Sequence, residues 1–138
     1  MTEIAIPEGF IEGNFTPFSV HVGPLHYKRY ESEGIPKGEV GMPFTDIHVG
    51  GNNRGHGGVL LTLLDEAMGM NASIYKGDVP VVTLSLQTSF IAATEPGHFL
   101  KATAVVTQAT NSIAFVEGKA WCGDKLVGTA NGVWKYLR

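Results

Sequence analysis

Between residues 57 and 75 the apolar side chains Val59, Leu60, Leu61, Leu63, Leu64, Ala67, Met68 and Met70 recur at intervals of three and four. That spacing gathers side chains along a helix and predicts one long α-helix here. The run is apolar around much of its circumference, so the helix should be buried on most sides. Lys76-Gly-Asp-Val-Pro80 ends it, because Gly77 suits a C-terminal cap and Pro80 cannot continue a helix. Downstream the period changes to two. Val82, Leu84, Leu86 and Phe90 alternate with Thr83, Ser85, Gln87 and Ser89, and Leu100, Ala102, Ala104 and Val106 with Lys101, Thr103, Val105 and Thr107. Residues 113–122 and 126–137 complete four β-rich runs, separated by Pro96-Gly97, residues 109–111 and Gly123-Asp124. Short turns between consecutive strands predict an antiparallel meander.

Upstream of the helix the pattern is weaker. Residues 25–32 read as a strand, 35–49 as a turn and a strand, and 50–55 as a loop. The first 24 residues hold Pro7, Gly9, Gly13, Pro17, Gly23 and Pro24 and read as an irregular lead-in with room for one helical turn. The expectation is an α+β protein, one antiparallel sheet of five or six strands around a central helix. A single curved sheet leaves one side of such a helix uncovered, so a second subunit is expected to close it.

The chain has 138 residues, which fits one domain over residues 1–138 with residues 1–20 as the irregular lead-in. Apolar residues make up 43%, enough for a core, and the net charge of -3 comes with no basic run, which argues against nucleic acid. The amino-terminal stretch has no basic segment followed by an apolar one, and no apolar run is long enough to span a bilayer, so neither secretion nor a membrane is expected. With Cys122 as the lone cysteine, no internal disulfide is possible, and a cytoplasmic protein is the economical reading. His21, His26, His48, His56 and His98 lack metal-site spacing, so no metal is assigned. The sequence Gly-His-Gly-Gly lacks the Lys-Ser/Thr of a phosphate loop, and no Gly-x-Ser-x-Gly elbow occurs.

The stretch His56-Gly-Gly-Val-Leu-Leu-Thr-Leu-Leu-Asp65-Glu-Ala-Met-Gly69 introduces the long helix with His-Gly-Gly and places an Asp nine positions after the His. With residues 22–29, 83–97 and 112–136 in the same order, it resembles the hotdog-fold acyl-CoA thioesterases, most closely those of phenylacetyl-CoA degradation. The resemblance covers about residues 20–137. It implies a hotdog fold, hydrolysis of an acyl-CoA to free acid and CoA, a homodimer or dimer of dimers, and no cofactor beyond the CoA carried by the substrate. It assigns Thr83 to a hydroxyl that holds the acid or its water, and Asn111 and Ser112 to a loop that approaches the coenzyme. The family's Asn six residues before the His, which positions water or substrate, is Gly50 here. Asn52 is the first choice to replace it because it keeps the Asn-x-x-Gly spacing, and Asn53 is the second.

The chemistry of those residues agrees. The first N–H groups of a helix have no intrahelical partner and lie at its positive end. Gly57 and Gly58 let a carbonyl oxygen approach them, so the helix start is a candidate oxyanion hole. His56 could orient that loop or add polarity. Asp65 is the candidate base or nucleophile, and Glu66 a charge on the less buried side. Gly57 and Asp65 are eight residues apart, about 12 Å along the axis, too far for one thioester carbon. Two antiparallel helices across a two-fold axis would place each Asp65 at its partner's helix start. Two rival readings remain: a hydratase or dehydratase of the same fold, and a non-catalytic acyl-CoA-binding module.

Overall fold

The computed structural model describes residues 3–13 and 15–137. In chain order it has β1 (Ile11–Glu12), α1 (Pro17–Val22), β2 (His26–Ser32), β3 (Ile35–Phe44), α2 (Gly57–Tyr75), β4 (Val81–Phe90), β5 (His98–Ala109), β6 (Ile113–Cys122) and β7 (Lys125–Tyr136). The strands form one antiparallel sheet in the order β1-β2-β3-β5-β6-β7-β4. The long helix falls where its periodicity placed it. Its last turn closes on Gly77 at φ +76°, with the Asp78 N–H donating to the Ser73 carbonyl at 2.9 Å.

Three expectations need correction. Among the described residues the sheet has seven strands rather than five or six, because the lead-in adds the two-residue β1. The last four strands are not one meander. β5, β6 and β7 are, but β4 pairs with β7 at the far edge. Alternation of apolar and polar residues is the same whichever neighbour a strand has, so pairing order was not legible. Finally, β3 stops at Phe44, and residues 46–48 turn as a 3-10 helix closed by the Thr45 N–H on His48 Nδ1 at 3.0 Å.

The sheet wraps α2 by presenting small residues to it. Ala102, Ala104, Ala114, Ala120 and Ala130 are buried along β5, β6 and β7. At Gly118 a Cβ would lie 2.7 Å from Met68 Sδ, so the Met68 side chain of α2 occupies the space that the missing side chain leaves on β6. Trp134, Tyr136 and Leu100 fill the wider space, and the Tyr136 hydroxyl donates to the Ala72 carbonyl at 2.8 Å. Asn71 fastens α2 to β3. Its amide nitrogen donates to the Gly38 and Ala67 carbonyls at 2.8 and 2.7 Å, while its oxygen accepts the Gly38 N–H at 3.1 Å. A buried amide is tolerated because its partners satisfy it.

Only one side of α2 is covered. Leu60, Leu63, Leu64, Ala67, Met68, Asn71 and Ala72 are buried against the sheet. The opposite side carries Gly58, Leu61, Thr62, Asp65, Gly69 and Ser73, none of them fully buried. No helix among the described residues is long and apolar enough to cross a membrane.

Candidate active site

The loop before α2 is tightly closed. The His56 N–H donates to the His48 carbonyl at 2.9 Å, the Gly50 N–H to the Arg54 carbonyl at 2.7 Å, and the Gly55 N–H to the Thr94 carbonyl at 3.0 Å. Asn52 and Asn53 form the exposed tip at φ +60° and +55°, a left-handed conformation that Asn tolerates better than most residues. Gly50, at the family's Asn position, lies beside the His56 ring, where a Cβ would stand 3.1 Å from Cδ2.

His56 is the N-cap of α2. Its Nδ1 accepts the Gly58 N–H at 2.8 Å, so a neutral ring carries its proton on Nε2. That bond engages the Gly58 amide. Among the described residues the Gly57 N–H has no hydrogen-bond partner. It borders a cavity of about 410 Å³ lined by Arg54, His56, Gly57, Leu60, Phe90 and Ile91. A Cβ on Gly57 would meet the Phe90 ring at 3.2 Å. The helix start therefore offers one free amide under an exposed aromatic ring.

Asp65 lies two turns further on. The Thr83 hydroxyl donates to its Oδ1 at 2.7 Å, across from α2 to β4. A register shift between Thr83 and Ser85 makes Leu84 the extra residue of a bulge, a device that re-aims neighbouring side chains. Asp65, Glu66, Met70, Ser73, Thr83 and Trp134 line a second cavity of about 320 Å³. Glu66 is not the solvated charge its position suggested. Burial raises its pKa above the usual carboxylate value, and the charge of Asp65 adds to the rise. Burial also pushes the Tyr27 phenol up to about 12, with the Glu66 charge contributing, so this phenol stays neutral at physiological pH.

Within one protomer the structure thus makes two groups of the predicted residues. His56, Gly57 and Gly58 meet at the helix start, and Asp65 meets Thr83 in a separate cavity. Asn52 lines neither cavity. Asn111 and Ser112 line neither, and lie exposed on the β5–β6 turn, where the Ser112 carbonyl accepts the Tyr136 N–H at 2.8 Å. Phe90 joins the helix-start cavity and Met70 the Asp65 cavity without belonging to the motif that marks the helix start. The end of the β4 alternation at Phe90 marks the first, but no sequence signal separates Met70 from core methionines.

A family model for the thioesterase superfamily matches residues 52–129. A Pseudomonas aeruginosa protein, named provisionally as an esterase, is 27% identical over 131 residues, covering 94% of this chain and 96% of that one. Among solved structures, conserved protein PA5202 of P. aeruginosa is 29% identical with a TM-score of 0.76, over 89% of this chain and 95% of that chain. BH2602 of Bacillus halodurans, solved with CoA, is 25% identical with a TM-score of 0.73, over 92% and 83% of the two chains. The fold is also that of the phenylacetic acid degradation protein PaaI of Thermus thermophilus, solved as a mutant, with a TM-score of 0.73 at 24% identity over 88% and 100% of the chains.

Proposed function

The chain belongs to the thioesterase superfamily, and we propose that it hydrolyses acyl-CoA thioesters at two equivalent sites, each completed by a second copy of the chain. The observation that carries this reading is the separation of the free Gly57 amide from the Asp65–Thr83 pair in two different cavities. Neither half suffices for thioester hydrolysis, and a two-fold axis across the open side of α2 joins them. The open side suits such a contact. Gly58, Thr62, Asp65, Gly69 and Ser73 are small or short, which lets a second helix come close. Beside it β4 has no strand neighbour on its outer edge among the described residues, and Val82, Leu84 and Phe90 expose apolar surface there. An unpaired edge beside exposed apolar residues is a surface that a partner covers.

In the joined site the thioester carbonyl oxygen accepts the Gly57 N–H of one copy. The positive end of α2 stabilises the charge that grows on that oxygen. Asp65 of the other copy takes a proton from water as the water oxygen attacks the carbonyl carbon. The carbon–sulfur bond then breaks, and the thiolate leaves and takes up a proton. Thr83 fixes Oδ1, leaving Oδ2 directed at the water. His56 holds the helix start through Gly58, whose missing side chain leaves room for the His56 ring, since a Cβ there would stand 2.9 Å from Nδ1. CoA as carrier is supported by its presence in the B. halodurans relative. Arg54, exposed in the wall of the helix-start cavity, suits the anionic nucleotide end. Asn111 and Ser112 are assigned to the coenzyme as well, and Asn52 to the water.

Purified protein incubated with a panel of acyl-CoA thioesters, with released thiol detected, tests the activity. Turnover of at least one member is expected. Tight binding without thiol release would favour an acyl-CoA-binding module, and addition of water across an enoyl-CoA would favour a hydratase.

A further inference from the structure

A cavity of about 540 Å³ shares Met70 with the Asp65 cavity and is within the size range of small-molecule sites. Ile11, Phe15, Tyr27 and Met70 supply its apolar wall, with Glu12 and Arg29 at its edge. All but Met70 come from residues 9–29, outside the stretch matched by the superfamily model. Two features of this wall leave it open to an apolar ligand. Ile11 and Phe15 are 73% and 74% exposed. Phe15 stands edge-on to Tyr27 with ring centroids 4.9 Å apart, forming an aromatic corner open to the cavity.

We propose that this cavity receives the far end of the acyl group and sets the chain length the enzyme accepts. The inference rests on the thioesterase reading above. Adjacency to the Asp65 cavity is its first support, because Met70 lines both and is the wall between them. Met70 is also a suitable divider: its Cε and Sδ occupy the space above Gly38, where a Cβ would lie at 2.5 and 2.7 Å, and an unbranched thioether changes rotamer readily. The second support is distance. Five residues of helix separate Asp65 from Met70, about 7.5 Å along the axis. An acetyl group held at Asp65 ends short of the cavity, whereas an acyl chain of eight carbons reaches past Met70. The third is chemistry. The wall's two rings and two aliphatic side chains offer contact to a hydrocarbon, and the neutral Tyr27 phenol adds no charge inside. The occupant is therefore an apolar acyl group of medium length.

The test is kcat/KM for acetyl-, hexanoyl-, octanoyl- and decanoyl-CoA in the wild type, Ile11→Trp and Phe15→Ala. Both positions are largely exposed, so thermal melting should show folded variants. The wild type should prefer octanoyl to acetyl by about 10-fold or more, the scale on which apolar pockets discriminate chain length. Ile11→Trp fills the cavity and should cut the octanoyl-to-acetyl ratio about 10-fold. Phe15→Ala enlarges it and should move the optimum toward decanoyl. Thioesterase activity with a length profile that neither variant moves would overturn the acyl-end assignment and leave the thioesterase reading standing. No thiol release from any thioester would overturn both.

Discussion

Two sides of one helix run through this molecule, and they are built on different rules. The side of α2 against the sheet carries Leu60, Leu63, Leu64, Ala67 and Met68, all buried, and its one polar residue, Asn71, has its amide nitrogen and oxygen bonded. The open side carries Asp65 on a hydroxyl from a bulged edge strand, and beside it the desolvated carboxyl of Glu66. The first arrangement lowers the free energy of one chain. The second does not, since a partly buried acidic pair raises it. A side that costs stability within one protomer is a candidate for function, and here it is also the side the sheet leaves uncovered.

The comparison can be broken from either side. The largest effect on activity should come from the open side. Asp65→Asn should lower kcat by about 10²-fold or more with little change in thermal melting, the scale of losing a general base. Gly57→Val keeps the N–H but should bar the substrate oxygen from it and crowd Phe90, costing about 2.7 to 4 kcal/mol of transition-state stabilisation, the scale of an oxyanion donor that the substrate no longer reaches. Equal effects of Asp65→Asn and Glu66→Gln on kcat would contradict the assignment of Asp65. The sheet side should respond in stability instead. Leu63 is fully buried, so Leu63→Ala should destabilise the protein by about 2 to 5 kcal/mol in denaturant titrations. The folded remainder should keep its kcat.

Smaller effects sharpen the contrast. The Glu66 pKa is raised in the folded protein, so the folded state binds the proton more tightly than the unfolded chain. Stability from this group is therefore full below the ordinary value of 4.5 and lost as pH rises through the folded pKa. Glu66→Gln should raise the melting temperature at pH 7 and give no gain at pH 4. A gain at both pH values would mean that charge is not the cause. The smallest effect is expected at the loop tip. Asn52→Ala should lower kcat several-fold if it positions water, and Asn53→Ala should leave kcat unchanged. Equal loss of stability with no change in kcat would make both Asn residues turn formers only.

Legibility in the sequence follows the same division. The limits of α2 and the buried face of β5 could be read because periodicity there records burial against the protein's own core, whereas Val82, Leu84 and Phe90 of β4 alternate just as cleanly and are exposed. The helix start could be read from Gly57 and Gly58, although the engagement of the Gly58 amide by His56 could not, since it depends on a ring orientation. Thr83 came from the family resemblance, and periodicity alone made it an ordinary strand residue. Three features left no pattern. β4 alternates as it would beside any neighbour, so its place at the edge was invisible. Glu66 differs from a solvated charge only by what surrounds it. The cavity at Ile11, Phe15 and Tyr27 is assembled by a lead-in with no periodicity, folded back beside Met70.

The central claim is that Gly57 and Asp65 act together only across two chains. Subunit mixing tests it most directly. Gly57→Val and Asp65→Asn proteins, each inactive alone, are denatured together in equal amounts and refolded, and thiol release from the best acyl-CoA is measured. A mixed dimer holds one site with both residues intact and one with both altered, so random pairing should restore about a quarter of wild-type activity. Activity no higher than that of either variant alone, with mixed dimers demonstrated by mass spectrometry, would contradict the shared site.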